Sequence, residues 1–132
     1  MRYPRAVRRD ERGQSMVEFA VVLPLLLVLL LGIAQLGLVY NNWVTLTDAV
    51  RAGARKAAVS RTDSNRDADV IAAVKNAATD LSSSKLTVDT PTSTWNPGDT
   101  VKVCAHYPYS ISLLLVVAKS GSLDSCTTER VE

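Results

Sequence analysis

Histidine occurs once and cysteine twice in these 132 residues, and that scarcity closes off much chemistry at the outset. A structural zinc site takes about four ligands; His106 with Cys104 and Cys126 falls short, so neither a metal nor another cofactor is expected. A phosphate-cradling glycine loop is missing, and no nucleophile is paired with a histidine base. The chain is therefore not expected to be an enzyme or to take a small-molecule substrate. Aromatic residues make up only 5% of the chain. The arginines near the N-terminus come with no aromatic platform or folded basic face, which argues against nucleic acid as a partner. His106 itself reads as a solvent-facing strand residue.

The more informative absence is charge. Residues 19–40, FAVVLPLLLVLLLGIAQLGLVY, contain no charged side chain, and Gln35 is their one clearly polar member. A bilayer core needs about 20 apolar residues in a helix, and the rest of the chain is too short and polar to enclose so uniform a run as a core helix. Arg2, Arg5, Arg8, Arg9 and Arg12 precede the run, against Asp10 and Glu11, and the next basic residue is Arg51. Positive charge stays on the cytoplasmic side, so the N-terminus is expected inside and everything after Tyr40 exported. Both cysteines then lie where disulfides form and persist; two free thiols are the alternative in a reducing compartment.

Three regions follow: a basic cytoplasmic leader over residues 1–13, a long helix over 14–60, and a small exported α/β domain over 61–132. Within the helix, about 19–40 spans the membrane and 41–60 is an amphipathic extension, for a total of roughly 70 Å. In the extension Trp43, Leu46, Val50, Gly53 and Ala57 recur at spacings of three and four, which marks one face. Ala49, Gly53 and Ala57 form a small-residue row that admits close approach, either of another helix or of the protein's own domain. RTDSN (61–65) is a polar break with several capping candidates. A second helix follows, with Val70, Val74, Ala77 and Leu81 on one face, Asp67 and Asp69 at the positive end of its dipole, and Ser82 to Ser84 at its end.

The period then changes. KLTVD (85–89), TVKVCAHY (100–107) and, more weakly, LDSCTTERVE (123–132) alternate as strands, with NPGD as a turn. The fold class is α+β: a long N-terminal helix, a second helix, and an antiparallel sheet of about three strands. ISLLLVVA (111–118) is too short to cross a bilayer as a helix and is expected to be a short buried helix or a cover over the sheet. If Cys104 faces Cys126 across antiparallel strands, Lys102 faces Thr128 and His106 faces Asp124 on the same sheet face. A bridge closing that loop stabilises by about 3 kcal/mol in the chain-entropy model.

Glu18 is the sharpest feature of the span. An acid inside a spanning helix is costly, less so near an edge, and such groups pair, neutralise or snorkel to the headgroups. A cut after Gly13 would create a partner, the α-amino group of Gln14. It would also remove all five leader arginines, freeing the helix to leave the bilayer. Pro24 removes a helical hydrogen bond, a lesion that membrane helices tolerate.

A short basic leader, a glycine, and a glutamate at the fifth position after it, opening a long apolar helix, resemble type IV prepilins and pseudopilins. The fuller string, RGQSMVEFAVVLPLLLVLLLGIAQLG followed by DAVRAGARKAA, is similar to the TadE family of tight-adherence pilus proteins. The resemblance is specific from Arg12 to about Val59 and returns in VKVCAHYPYS and TTERVE. It implies Gly13 as the residue before the cut, Gln14 as the mature N-terminus, Glu18 as the docking acid and Pro24 as a helix kink. The implied partners are sister pilins, a prepilin peptidase, and an inner-membrane assembly platform with its cytoplasmic ATPase. The implied location is the cytoplasmic membrane before processing and a cell-surface pilus afterwards. Major pilins of that system are much shorter and typically carry tyrosine at the position of Phe19, so the resemblance points to a minor pilin. Two other readings stay open. One is a secreted binding protein cut after Gly32-Ile33-Ala34; the other is an uncut single-pass protein displaying an adhesion module.

Overall fold

The structure, a computed structural model, describes residues 11–89, 91–113 and 116–132. Residues 1–10 of the expected leader lie outside this range. The first element, α1, is a helix over Glu11–Val59 of 49 residues, about 73 Å long at the standard rise. It runs through Pro24 without interruption, although proline has no N–H to donate to the carbonyl four residues earlier. Its outer part is amphipathic in a physical sense: Leu46, Ala49, Val50, Gly53, Ala54 and Ala57 are buried while Asp48, Arg51 and Arg55 are exposed. Trp43, expected on the buried face, is 44% exposed, because it sits one turn beyond the domain core. Ser60 ends the helix by donating its hydroxyl to the Lys56 carbonyl at 2.7 Å, satisfying one of the carbonyls that a helix C-terminus leaves free.

After the break the chain folds back into α2, Arg66–Ala77, with Asp67 and Asp69 in its first turn and Val70 and Val74 buried. Two expectations for this helix are corrected. It ends at Ala77 and not at the serines, and Ala78 is buried in place of the exposed Ala77. The chain leaves helical geometry there, and the turn that follows brings Ala78 and Leu81 into the core. The helix start has Asn65 as its flanking residue, with no side-chain cap.

Three strands complete the domain: β1, Thr87–Val88; β2, Thr100–Leu113; and β3, Val116–Arg130. They form one antiparallel sheet in the order β1-β2-β3, so the chain is α+β as its pattern predicts. Val101, Val103 and Ala105 point into the core against α1, joined by Leu86 and Val131. The C-terminus is stitched back onto both layers: Val131 exchanges hydrogen bonds of 2.8 Å with Gly98 and Asp99, and the Glu132 N–H reaches the Ala58 carbonyl at 3.0 Å. The NPGD turn is real, closed by the Asp99 N–H on the Asn96 carbonyl at 3.1 Å. Gly98 there adopts φ +89°, a conformation that suits a type II turn with proline before glycine.

The main correction concerns ISLLLVVA. Residues 111–113 and 116–118 are strand, not helix; Leu114 and Leu115 lie outside the described residues. Eight residues, seven of them apolar, carry no periodicity with which to tell strand from helix. Here an antiparallel partner within the same hairpin decides, and β-branched Ile111, Val116 and Val117 suit the strand state.

Candidate assembly surface

The inner part of α1 is one continuous apolar surface. Met16 is 77% exposed and Leu25 70%, and the helix is long and apolar enough to cross a membrane from Gly13 onward. A side chain of that composition exposed on all sides has lipid or another protein as its natural surroundings. Gly13 has open space where a β-carbon would stand. The Gln14 side-chain amide donates to the Glu18 carboxylate at 3.2 Å, one helical turn away. The structure thus brings Gly13, Gln14 and Glu18 together on the first turns of α1, with Pro24 further along the same apolar helix.

Ala49, Gly53 and Ala57 are all buried in the protein's own core. Gly53 lies directly against α2: a β-carbon there would lie 2.2 Å from Val74 Cγ2 and 3.5 Å from the Val70 carbonyl. Of the two partners open to this small-residue row, the chain's own second helix occupies it at Gly53.

A second contact joins the sheet to the apolar helix. Gln35 donates its amide to the Ser112 carbonyl, and the Ser112 N–H donates to Gln35 Oε1 at 2.8 Å. Further out, Ser125 Oγ lies 3.4 Å from Thr47 Oγ1. The β2–β3 hairpin therefore runs down beside α1, from the level of Thr47 to that of Gln35, about 18 Å along the helix. Gly32, Gln35, Val39 and Asn42 form the half-buried stripe of the helix at these levels, while their neighbours are exposed. The sequence marks Gln35 as the lone amide of the uncharged run 19–40; a partner 77 residues away leaves no signature in sequence spacing.

On the open face of the sheet, Cys104 and Cys126 are joined by a disulfide with 4.1 Å between α-carbons, in register with the pairs Lys102–Thr128 and His106–Asp124. His106 is more than solvent-facing. Its Nδ1 lies 2.5 Å from Asp124 and its Nε2 3.0 Å from Asp89. Serving two carboxylates at once requires N–H on both ring nitrogens, which is the imidazolium form. The hydrogen bond to Asp124, followed by that to Asp89, raises the His106 pKa above its ordinary value. Asp124 is lowered in turn, chiefly by His106 and then by the Ser122 hydroxyl. Asp89 was legible only as a strand end; β1 pairing, with Thr87 opposite His106, delivers it.

Residues 13–55 match a family model described as TadE-like protein. The match begins at Gly13, covers Glu18, Pro24 and Gln35, and ends just past Gly53. Neither a curated protein nor a solved structure matches the chain.

Proposed function

We propose, taking as premise that the chain is a TadE-like protein of the tight-adherence pilus system, that it acts as a minor pilin or pseudopilin. The family is structural and not catalytic, and with the apolar N-terminal helix it fits a membrane-anchored, surface pilus protein. In this reading the chain inserts with its N-terminus inside and a prepilin peptidase cuts between Gly13 and Gln14. The freed helix then joins a pilus or its initiating tip complex, in support of adhesion, biofilm or secretion. Its partners are sister pilins and the inner-membrane platform with its ATPase.

The observation that carries this reading is that the family match starts at Gly13, at the head of a helix whose apolar surface the protein's own domain leaves largely uncovered. Glu18 is the one acid on that surface among residues 13–47, and a charge there calls for a cation. Today its partner is the Gln14 amide; cutting supplies the Gln14 α-amine, on its own chain or on a staggered neighbour. Gly13 lies inside α1, so the cut requires the first turn to open. Glycine makes that easier by about 1 kcal/mol relative to alanine. The test is Glu18→Gln, which keeps shape and removes charge. The variant is expected to be cut normally yet to vanish from the sheared-pilus fraction; equal recovery of variant and wild type there would sink the docking role.

A further inference from the structure

The Gln35–Ser112 pair places the far part of the β2–β3 hairpin beside the uncharged, apolar run of α1. Gln35 lies five residues inside the end of the apolar run at Tyr40, about 7–8 Å along the helix axis. Ser112 stands at a register shift of the β2–β3 ladder, between Ile111 and Ser112. Its N–H and carbonyl are both taken by the Gln35 amide, which has the donor and acceptor of a peptide group and stands in for a neighbouring strand. Satisfying backbone polar groups in this way is what an apolar medium demands of a sheet edge; at a water-washed position it would bring little.

The surroundings grade from polar to apolar along the hairpin. Tyr40 and Trp43 pair on α1 with ring centroids 6.0 Å apart. Tyr107 and Tyr109 face Leu38, Val39 and Asn42 across a shallow groove at the same level. A collar of tyrosine and tryptophan is the signature of a membrane–water interface. Beyond the collar, residues 111–118 read ISLLLVVA, without charge. Lys119, the exposed register partner of Ile111, ends the apolar stretch with a cation suited to anionic headgroups. At the depth of Gln35 the uncovered sides of α1, Ile33, Leu36 and Leu38, are 59–66% exposed. These exposed apolar residues lie within three positions of Gln35, the partner of Ser112.

We propose that the end of the β2–β3 hairpin, residues 111–113 and 116–118, rests in the outer-leaflet interface of a phospholipid bilayer, held against the spanning helix by Gln35. The exported domain is thereby a second, shallow membrane contact that must be withdrawn when the helix leaves the bilayer. The proposal rests on the spanning, N-inside part of the reading above, and is independent of cleavage at Gly13.

The full, uncut chain is reconstituted in phosphatidylcholine–phosphatidylglycerol vesicles whose acyl chains are plain or brominated at mid-length. Single tryptophan reporters are introduced in a Trp43→Phe, Trp95→Phe background. Leu29→Trp reads the span, and Ile111→Trp reads the hairpin. Lys119→Trp, at an exposed position, reads the same level should the Ile111 variant misfold. Bromine is expected to quench Leu29→Trp strongly and the hairpin reporter by about twofold, as for a segment buried at the headgroup–acyl boundary. A quenched Leu29→Trp with a hairpin reporter equally bright in both vesicles would overturn the proposal and leave the spanning helix standing. An unquenched Leu29→Trp would overturn both.

Discussion

Gly53 of α1 and Val74 of α2 are in such close contact that a β-carbon on the glycine would fall 2.2 Å from Val74 Cγ2. Both residues belong to a fully buried layer with Ala49, Val50 and Val70. Gly53→Ala is expected to destabilise the α/β domain by about 1–2 kcal/mol: overpacking costs about 1–3, and the better helix propensity of alanine offsets part of it. In a Val74→Ala background the same change should cost less or become favourable, because contacting residues couple. Denaturation in detergent of the four members of this cycle measures it; additive effects would mean that α2 does not lean on Gly53.

The disulfide closes a span of 22 residues across the hairpin. Replacing both cysteines by serine is expected to lower stability by about 3 kcal/mol through the larger entropy of the unfolded chain. Urea midpoints of oxidised wild type and the double variant give the difference. Since Lys102–Thr128 and His106–Asp124 continue the register on either side, the fold should persist.

The imidazolium between Asp89 and Asp124 sets a pH window. His106 is raised from 6.5, so its contribution is complete below that value and is lost as pH rises through the raised one. Asp124 is lowered from 3.8, so its contribution is complete above that value and is lost as pH falls through the lowered one. Both are fully present between these ordinary values. Wild-type stability should therefore decline from pH 6 to 9 more steeply than that of His106→Gln, as read by urea midpoints at each pH; parallel curves would contradict the trio. The groups are half-exposed or exposed, so the effect should also shrink with added salt.

The core layer between helix and sheet offers a plainer test. Leu46 is fully buried, and Leu46→Ala should cost about 2–5 kcal/mol, whereas Leu36→Ala, on the exposed apolar part of α1, should leave unfolding of the α/β domain within about 0.5 kcal/mol of wild type.

What the sequence discloses here depends on the range of the physics involved. The apolar stretch of α1 is legible because one property, absence of charge, repeats over residues 19–40. The register is legible because strand parity links three pairs at once: placing Cys104 opposite Cys126 carries Lys102 and His106 with it. The end of α2 is harder, since Ala77 and Ala78 are chemically identical and only the exit from the helix decides which is buried. The strands over residues 111–113 and 116–118 are hidden because a short apolar run carries no period, and its state is settled by a partner strand. Gln35–Ser112 is hidden for a related reason, since nothing local to either residue names the other. His106 lies between: its pairing with Asp124 follows from the register, but Asp89 arrives through a two-residue strand.

The central claim is that Gly13, Gln14 and Glu18 work as one processing and docking unit, and the mass of the mature N-terminal peptide tests it most directly. The peptide is taken from membrane and sheared-surface fractions of cells with active prepilin peptidase. The account predicts a chain beginning at Gln14 in both fractions. A chain that keeps its leader, or one that begins at Gln35, would contradict it.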